Sequence, residues 1–269
     1  MKNQDTEFTG SIPAAYDRYL GPTLFQPYAE DLAARLLLPD ASSILELACG
    51  TGILTRVLRS RLASGVKITA TDLNEPMFRY AANKFAARED VAWRQADACR
   101  LPFANRMFDA VVCQFGLMFV PDKTLAAQEA HRVLKRGGLF LFNLWDAMEH
   151  NALCQLTHHT IAGYFEKDPP AFYQVPFSYH DQTEVKRVLE EAGFVDIEIE
   201  VVAKISQAAR AEDAATGLVQ GNPVALAIAE RDPSLVPVIT NAVAEGIKEQ
   251  FGESEVRAPM RAIVVQARA

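Results

Sequence analysis

Ser43-Ile44-Leu45-Glu46-Leu47-Ala48-Cys49-Gly50-Thr51-Gly52 is the stretch that decides the fold. Its first half reads as a short buried strand and its second as a turn of small residues. Ile53, Leu54, Val57, Leu58 and Leu62 then recur at helical spacing, up to Gly65. A strand feeding a helix through such a turn gathers free backbone N–H groups and lets a ligand come close to the backbone. Taken alone, the turn reads equally well as a tight bend with no ligand. A second apolar run, residues 66–71, ends at Asp72, 22 positions after Gly50. An acidic side chain at about that distance can accept both hydroxyls of a ribose. Strand, glycine turn and second-strand carboxylate together point to a nucleoside cofactor.

Outward from this turn the rhythm repeats. Asn74-Glu75-Pro76 opens a second helix, with Asn as cap and Pro in the first turn, and Met77, Ala81, Ala82 and Phe85 form its inner face. Residues 91–96 make a third strand and Phe108–Gln114 a fourth. Pro121-Asp122 starts a helix predicted to run through Leu134 and to end at Gly137-Gly138. Residues 139–144 form a fifth strand, apolar at nearly every position, as strands covered on both faces are. Asp181-Gln182-Thr183-Glu184 has capping-box spacing and opens a helix on Val185, Val188, Leu189 and Ala192. Residues 194–202 alternate like a strand, and residues 261–268 are the last one. The expected class is α/β: a doubly wound, mostly parallel sheet of seven strands with helices on both faces.

Residues 1–269 are read as a single domain with 41–145 as its cofactor-binding core. Residues 1–40 form a helical cover carrying Tyr16, Tyr19, Phe25 and Tyr28. Two segments, 146–180 and 203–258, form a lid or wall on the acceptor side. The second is predicted helical, with breaks at Gly221-Asn222-Pro223, Asp232-Pro233 and Gly252.

Composition bounds the partners. With 27 Lys+Arg against 34 Asp+Glu the net charge is −7, which repels phosphate backbones and argues against nucleic acid. Hydrophobic residues at 49% exclude a disordered chain. Cys49, Cys99, Cys113 and Cys154 form no C-x-x-C pair, and the reading is four reduced thiols with neither a metal nor a disulfide framework. Met1-Lys2-Asn3-Gln4-Asp5 is polar and carries no signal region, and no apolar run approaches the ~18 residues that span a bilayer. A cytoplasmic monomer or homodimer is expected.

Two features choose the cofactor. A dinucleotide fingerprint requires a small residue where Thr55 stands. Glu46, just before the turn, would repel a pyrophosphate and attract an ammonium or a sulfonium. This favours S-adenosyl-L-methionine over NAD; a solvent-bridged Glu46 is the bland alternative.

Further segments follow in a recognisable order: Thr71-Asp72-Leu73-Asn74-Glu75-Pro76-Met77, Gln95-Ala96-Asp97-Ala98 with Leu101-Pro102-Phe103, Phe108-Asp109 to Phe119-Val120-Pro121-Asp122, and Leu134-Lys135-Arg136-Gly137-Gly138. With Ile44 to Gly52, they make the sequence resemble the class I S-adenosylmethionine-dependent methyltransferases over about residues 40–200. The resemblance is to the ubiquinone/menaquinone-biosynthesis-like, methyltransferase type 11 group. It implies a Rossmann-like sheet with a helical lid, and S-adenosyl-L-homocysteine as product. By position, it also implies that Glu46 and the backbone of Ala48, Cys49 and Gly50, with Gly52 closing the turn, hold the methionine moiety. Asp72 would bind the ribose, Leu73 and Met77 would cover the adenine, and Asp97 and the Ala98 N–H would meet its polar edge. Gln114 and Phe115 would close over the methionine end. Ala48 departs from the glycine many members carry, which leaves slightly less room.

Methyl transfer is an in-line displacement in which alignment and desolvation carry most of the catalysis. No catalytic motif is needed and none is found. Candidate bases are Asp146, His150, His158, His159 and Tyr164, each more often a surface or hydrogen-bonded residue than a catalyst. The aromatic content of the two extra segments suggests a small, partly apolar acceptor, though core packing explains it equally well. No [DNS]-P-P-[YFW] run of the nucleic-acid amine type follows strand four, where Gln114-Phe115-Gly116-Leu117 stands. The alternatives are a non-catalytic adenosyl-binding module and a nicotinamide-dependent oxidoreductase.

Overall fold

The computed structural model describes residues 8–39, 42–86 and 89–269. The outer ends of the expected N-terminal cover and the first residue of the expected core lie outside the described residues. The chain divides into two compact units. One holds Tyr28–Trp145, Tyr179–Val202 and Ala262–Ala269; the other holds residues 8–27, Asp146–Ser178 and Ala203–Arg261.

The first unit is built on most of a seven-stranded sheet, whose last two strands also include residues of the other unit. Its strands are β1 (Ser43–Leu47), β2 (Lys67–Asp72), β3 (Val91–Gln95), β4 (Phe108–Gln114), β5 (Leu134–Trp145), β6 (Val195–Arg210) and β7 (Ser254–Arg268). The order is β3-β2-β1-β4-β5-β7-β6. The pairs among β1 to β5 are parallel, whereas β7 runs antiparallel to β5, from Leu139 opposite Arg268 to Trp145 opposite Ala262. The chain starts in the middle of the sheet, moves out to β3, then returns to β4 on the other side of β1. Right-handed crossovers then set α3 (Ile53–Arg61) and α4 (Glu75–Ala82) on one face and α5 (Lys123–Val133) on the other. Buried on both faces, Ile44, Leu45, Ile68, Val111, Val112, Phe140 and Leu141 form the core. Each such side chain contributes roughly 1.5–3 kcal/mol.

Charged residues tie the ends of these elements. Asp109 accepts from the Ser43 N–H at 2.8 Å and pairs with Lys135 at 2.8 Å. Burial raises its pKa, but the Lys135 and Ser43 bonds outweigh that and hold it below the usual carboxylate value. Arg132 donates to the carbonyls of Leu101 (3.0 Å) and Phe103 (2.8 Å), which fixes the loop before β4.

Helix ends differ from expectation, and α4 stops at Ala82, short of Phe85. The helix after the glycine turn stops at Arg61, not at Gly65, because Arg59 reaches the carbonyls of Leu62, Ala63 and Val66 and draws the chain out of helical form. The helix expected to pass through Leu134 to Gly137-Gly138 stops at Val133. Leu134 is already extended and begins β5. Leu134 pairs with Phe108, and Ala269 holds the glycines: the Gly137 N–H donates to Ala269 O at 2.6 Å, and the Ala269 N–H to Gly138 O at 3.0 Å.

Of the remaining helices in this unit, α2 (Gln26–Arg35) is anchored by Tyr28, whose hydroxyl donates to Val202 O at 3.0 Å. The other, α7 (Gln182–Glu191), is capped by Asp181, which accepts from Thr183 N–H at 2.8 Å. Asp181→Ala is expected to cost about 1 kcal/mol, the usual loss of an N-cap, read as a lower urea midpoint at unchanged slope.

The second unit is largely helical: α1 (Ile12–Ala15), a π-helix over Tyr16–Phe25, α6 (Ala152–Ala162), α8 (Ala211–Gln220), α9 (Val224–Arg231) and α10 (Leu235–Phe251). Pro22 lies inside the π-helix and lacks the N–H that regular winding would use, while the Thr23 hydroxyl bonds back to Tyr19 O at 2.6 Å. α10 packs on α8 and α6, and α8 on the π-helix, where Gly217 permits close approach: a Cβ there would lie 2.8 Å from Tyr19 Cβ. The expectation of helix throughout 203–258 is corrected. Residues 203–210 and 254–258 are strand, joined by the Ser206 hydroxyl donating to Ala258 O at 2.9 Å. An available strand partner overrides the helical propensity of an alanine-rich segment.

Candidate cofactor site

Open α/β sheets bind ligands at the carboxyl ends of their strands, where the winding reverses. Here that point lies between β1 and β4. The loop after β1 turns sharply, with Ala48, Gly50 and Gly52 at φ +50, +54 and +78. Gly52 starts α3, and a Cβ on it would lie 3.0 Å from Ala81 Cβ, so its missing side chain lets α4 pack close. Thr71 fixes the loop by donating its hydroxyl to Glu46 O at 2.8 Å and accepting the Cys49 N–H at 2.9 Å.

Two carboxylates are buried beneath this loop. Asp72, at the end of β2, accepts from the Gly50 N–H at 2.8 Å and the Asn74 N–H at 2.7 Å. Burial pushes its pKa up to about 6 against these backbone donors. Glu46, in β1, is 1% exposed. Burial, with the Asp72 charge added, pushes its pKa to about 8, while Thr55 opposes the rise. Its Oε2 has no hydrogen-bond partner, and among the described residues no cation pairs with it. Buried this way, Glu46 keeps its proton in the free protein, and a positively charged group beside it would favour the ionised form. The residues present fit S-adenosyl-L-methionine on this ground: an unmet acceptor that would take an ammonium, beside a second carboxyl at the end of β2 that would take a ribose. Cys49 and Cys113 are buried thiols raised by desolvation and kept protonated by the same two carboxylates.

The other expected residues surround this loop to different degrees. Met77 is buried, with its Cε 3.7 Å from where a Gly50 Cβ would stand. Leu73 is 57% exposed, unusual for leucine, and Gln95 holds its carbonyl at 2.8 Å. Asp97 is exposed and accepts the Cys99 N–H at 2.8 Å; Ala98 is half-buried. The β3 end is joined to the Asp72 end by Ala96 N–H to Asp72 O at 3.1 Å. Gln114 is half-buried, while Phe115 is buried and stacks on Trp145 at 3.8 Å.

Comparison with known proteins identifies the arrangement. A family model described as a methyltransferase domain matches residues 45–142. The demethylmenaquinone methyltransferase of Staphylococcus aureus is 31% identical over 170 residues, covering 58% of this chain and 68% of that enzyme. The chain is a class I S-adenosylmethionine-dependent methyltransferase. It belongs to the methyltransferase type 11, menaquinone-methyltransferase-like family. Its cofactor is S-adenosyl-L-methionine, and its reaction is methyl transfer to a small molecule. Solved structures share its fold, the following two among them. Phosphoethanolamine N-methyltransferase 2 of Haemonchus contortus, with S-adenosylhomocysteine, has a TM-score of 0.63 at 16% identity and covers 100% of this chain and 60% of its own. A SAM-dependent methyltransferase of Aquifex aeolicus has a TM-score of 0.54 at 20% identity, covering 73% and 93%.

The candidate bases of the methyltransferase all lie in the helical unit, and the structure does not gather them. Asp146 is paired with Arg261 and accepts its neighbour's N–H, from Ala147. His150 lies 3.6 Å from Glu149. His158 and His159 are adjacent on α6, and burial with the neighbouring imidazole holds His158 below the usual histidine value. Tyr164 is 41% exposed. Tyr16 stacks on Phe25 at 4.8 Å within the same unit. Among the described residues no cluster of His, Cys, Asp or Glu could hold a metal ion, and no helix is long and apolar enough to cross a membrane. Sequence reasoning passed over Asn143, which is fully buried and accepts the Phe115 N–H at 3.0 Å through Oδ1 while its Nδ2 has no partner. The signal was there: a lone polar residue inside the apolar run 139–144.

Proposed function

We propose that this methyltransferase methylates a small, partly apolar acceptor by in-line displacement, with its own residues aligning the partners and excluding water. The observation that carries the reading is the buried, unpaired Glu46 Oε2 beside Asp72. The Staphylococcus aureus relative acts, by its name, on demethylmenaquinone, which supports an apolar acceptor here.

Glu46 takes the ammonium of the methionine end and Asp72 the two ribose hydroxyls. Leu73 and Met77 close on the adenine, with Asp97 and the Ala98 N–H at its polar edge. The N–H groups of Cys49 and Gly50 are already used by Thr71 and Asp72, so with Ala48 and Gly52 they serve through shape. Gln114 and Phe115 limit water at the methionine end. Bound there, the cofactor supplies a methyl group on a sulfonium whose positive charge disperses as the acceptor attacks. A base enters only for an acceptor that must lose a proton, and His150, His158, His159 and Tyr164 are the residues to substitute then.

Thermal unfolding with S-adenosyl-L-methionine, S-adenosyl-L-homocysteine and NAD tests the site. At 100 times the dissociation constant the adenosyl ligands are expected to stabilise by about 2.7 kcal/mol. A response to NAD alone would overturn the proposal. Mass spectrometry on a panel of apolar acceptors then seeks a product one methyl group heavier. Leu73→Ala separates binding from folding. The exposed side chain contributes little to stability, so the urea midpoint is expected to stay put while homocysteine-ligand affinity falls by about 1 kcal/mol.

A further inference from the structure

Two residues with side chains occupy the left-handed backbone region at neighbouring strand ends. Ala48 follows β1 and Phe115 follows β4, each at φ +50, where glycine is the usual occupant. The two strands pair in parallel up to Leu47 opposite Cys113, so the two turns lie side by side. Gly116 stands between them. A Cβ built on it would lie 2.5 Å from Ala48 Cβ and 2.8 Å from Cys113 Sγ. The Ala48 methyl therefore occupies the space a larger residue at Gly116 would need. Gly116 itself has φ −106, so its own backbone accepts a side chain without strain.

Asn143 holds this turn from the other side. Its Oδ1 accepts the Phe115 N–H at 3.0 Å, and its own carbonyl accepts the same N–H at 3.3 Å. An N–H needs an acceptor, so the orientation of the amide is settled, and Nδ2 is left buried without a partner. A left-handed alanine, a left-handed phenylalanine and a half-satisfied asparagine meet within one contact network. Strain of this kind persists where surrounding structure imposes it, and it clusters at functional sites.

We propose that Ala48, Gly116 and Asn143 form an interlock that positions the cofactor loop 48–52. Asn143 keeps the turn after β4 left-handed, the turn carries Gly116 against the Ala48 methyl, and that contact sets where Cys49 to Gly52 lie. The three are positioning residues, and the inference rests on the loop being the cofactor site. It also explains the alanine at position 48: its methyl is the wedge.

The test is a double-mutant cycle read by calorimetric titration of S-adenosyl-L-homocysteine, with melting temperature alongside. Gly116→Ala is expected to weaken binding about tenfold, and Ala48→Gly with Gly116→Ala to restore it to within about threefold, because the methyl is then supplied from the opposite side. The Cys113 thiol ends a side chain and can turn aside, so the rescue rests on position 48. Ala48→Gly alone is expected to raise the melting temperature, by relieving left-handed strain, yet to weaken binding about threefold. A purely structural role would raise both or leave affinity untouched, and this variant carries the test if Gly116→Ala does not fold. Asn143→Leu is expected to weaken binding about tenfold, and Asn143→Asp, which keeps an acceptor facing Phe115, to retain most of it. Wild-type affinity in Gly116→Ala, or a double variant as weak as the single, overturns the interlock. A wild-type protein that does not bind the ligand overturns the cofactor site instead.

Discussion

Asp72→Ala is expected to weaken S-adenosyl-L-homocysteine binding by about 10- to 150-fold, roughly 1.5–3 kcal/mol, the cost of losing a charged hydrogen-bond partner. The loss has two parts. The ribose hydroxyls lose their acceptor, and the Gly50 and Asn74 N–H groups, now held at 2.8 and 2.7 Å, lose theirs. The second part loosens the glycine turn itself. Asp72→Asn is expected to bind almost as poorly, because two N–H groups converge on two carboxylate oxygens and an amide offers only one acceptor. The stability of the free protein should change less than the affinity. Removing Asp72 also removes a carboxyl whose pKa burial has raised to about 6, and that gain offsets the orphaned N–H groups. Calorimetric titration with a parallel urea melt separates the two quantities. A folded Asp72→Ala protein with wild-type affinity would remove the ribose role from this residue.

Much of the site-bearing half was legible in the sequence because its signals are local. The β1 strand, the glycine turn and Asp72 lie within 30 residues, and the periodicity of α3 and α4 is plain from Ile53 to Ala82. The errors came where a distant partner decides the conformation. Residues 203–210 contain Ala208 and Ala209 and read as helix, but β7, some fifty residues on, offers a ladder. The start of β5 at Leu134 depends on its pairing with Phe108, 26 residues back in β4. Asn143 was visible as a polar interruption, yet its role depends on the backbone of Phe115, 28 residues away. The burial of Glu46 followed from its place in an apolar strand. Its lack of a cationic partner among the described residues did not, since that depends on which cations the fold brings near.

Raising the pH from 5 to 8 is expected to destabilise the ligand-free methyltransferase, and Glu46→Gln is expected to remove most of that loss. Burial, with the Asp72 charge added, holds the folded-state pKa of Glu46 at about 8. In the unfolded chain a glutamate titrates near 4.3. Between these values the folded protein keeps a proton that the unfolded chain has lost, so stability falls as pH rises and levels off above about 8. The full effect is on the order of a few kcal/mol. Asp72 adds to the slope below about pH 6, and Glu46→Gln leaves that part in place. An ammonium group beside Glu46 favours its ionised form, so ligand binding releases up to one proton near pH 7. Affinity should then rise about tenfold between pH 6.5 and 7.5. Calorimetry in two buffers of different ionisation enthalpy measures the released proton directly. Glu46→Gln should bind more weakly, with no proton release and a flat profile over this range. A variant that keeps the wild-type pH slope in both stability and binding would mean that Glu46 is ionised in the free protein, and the charge logic of the site would have to rest on another group.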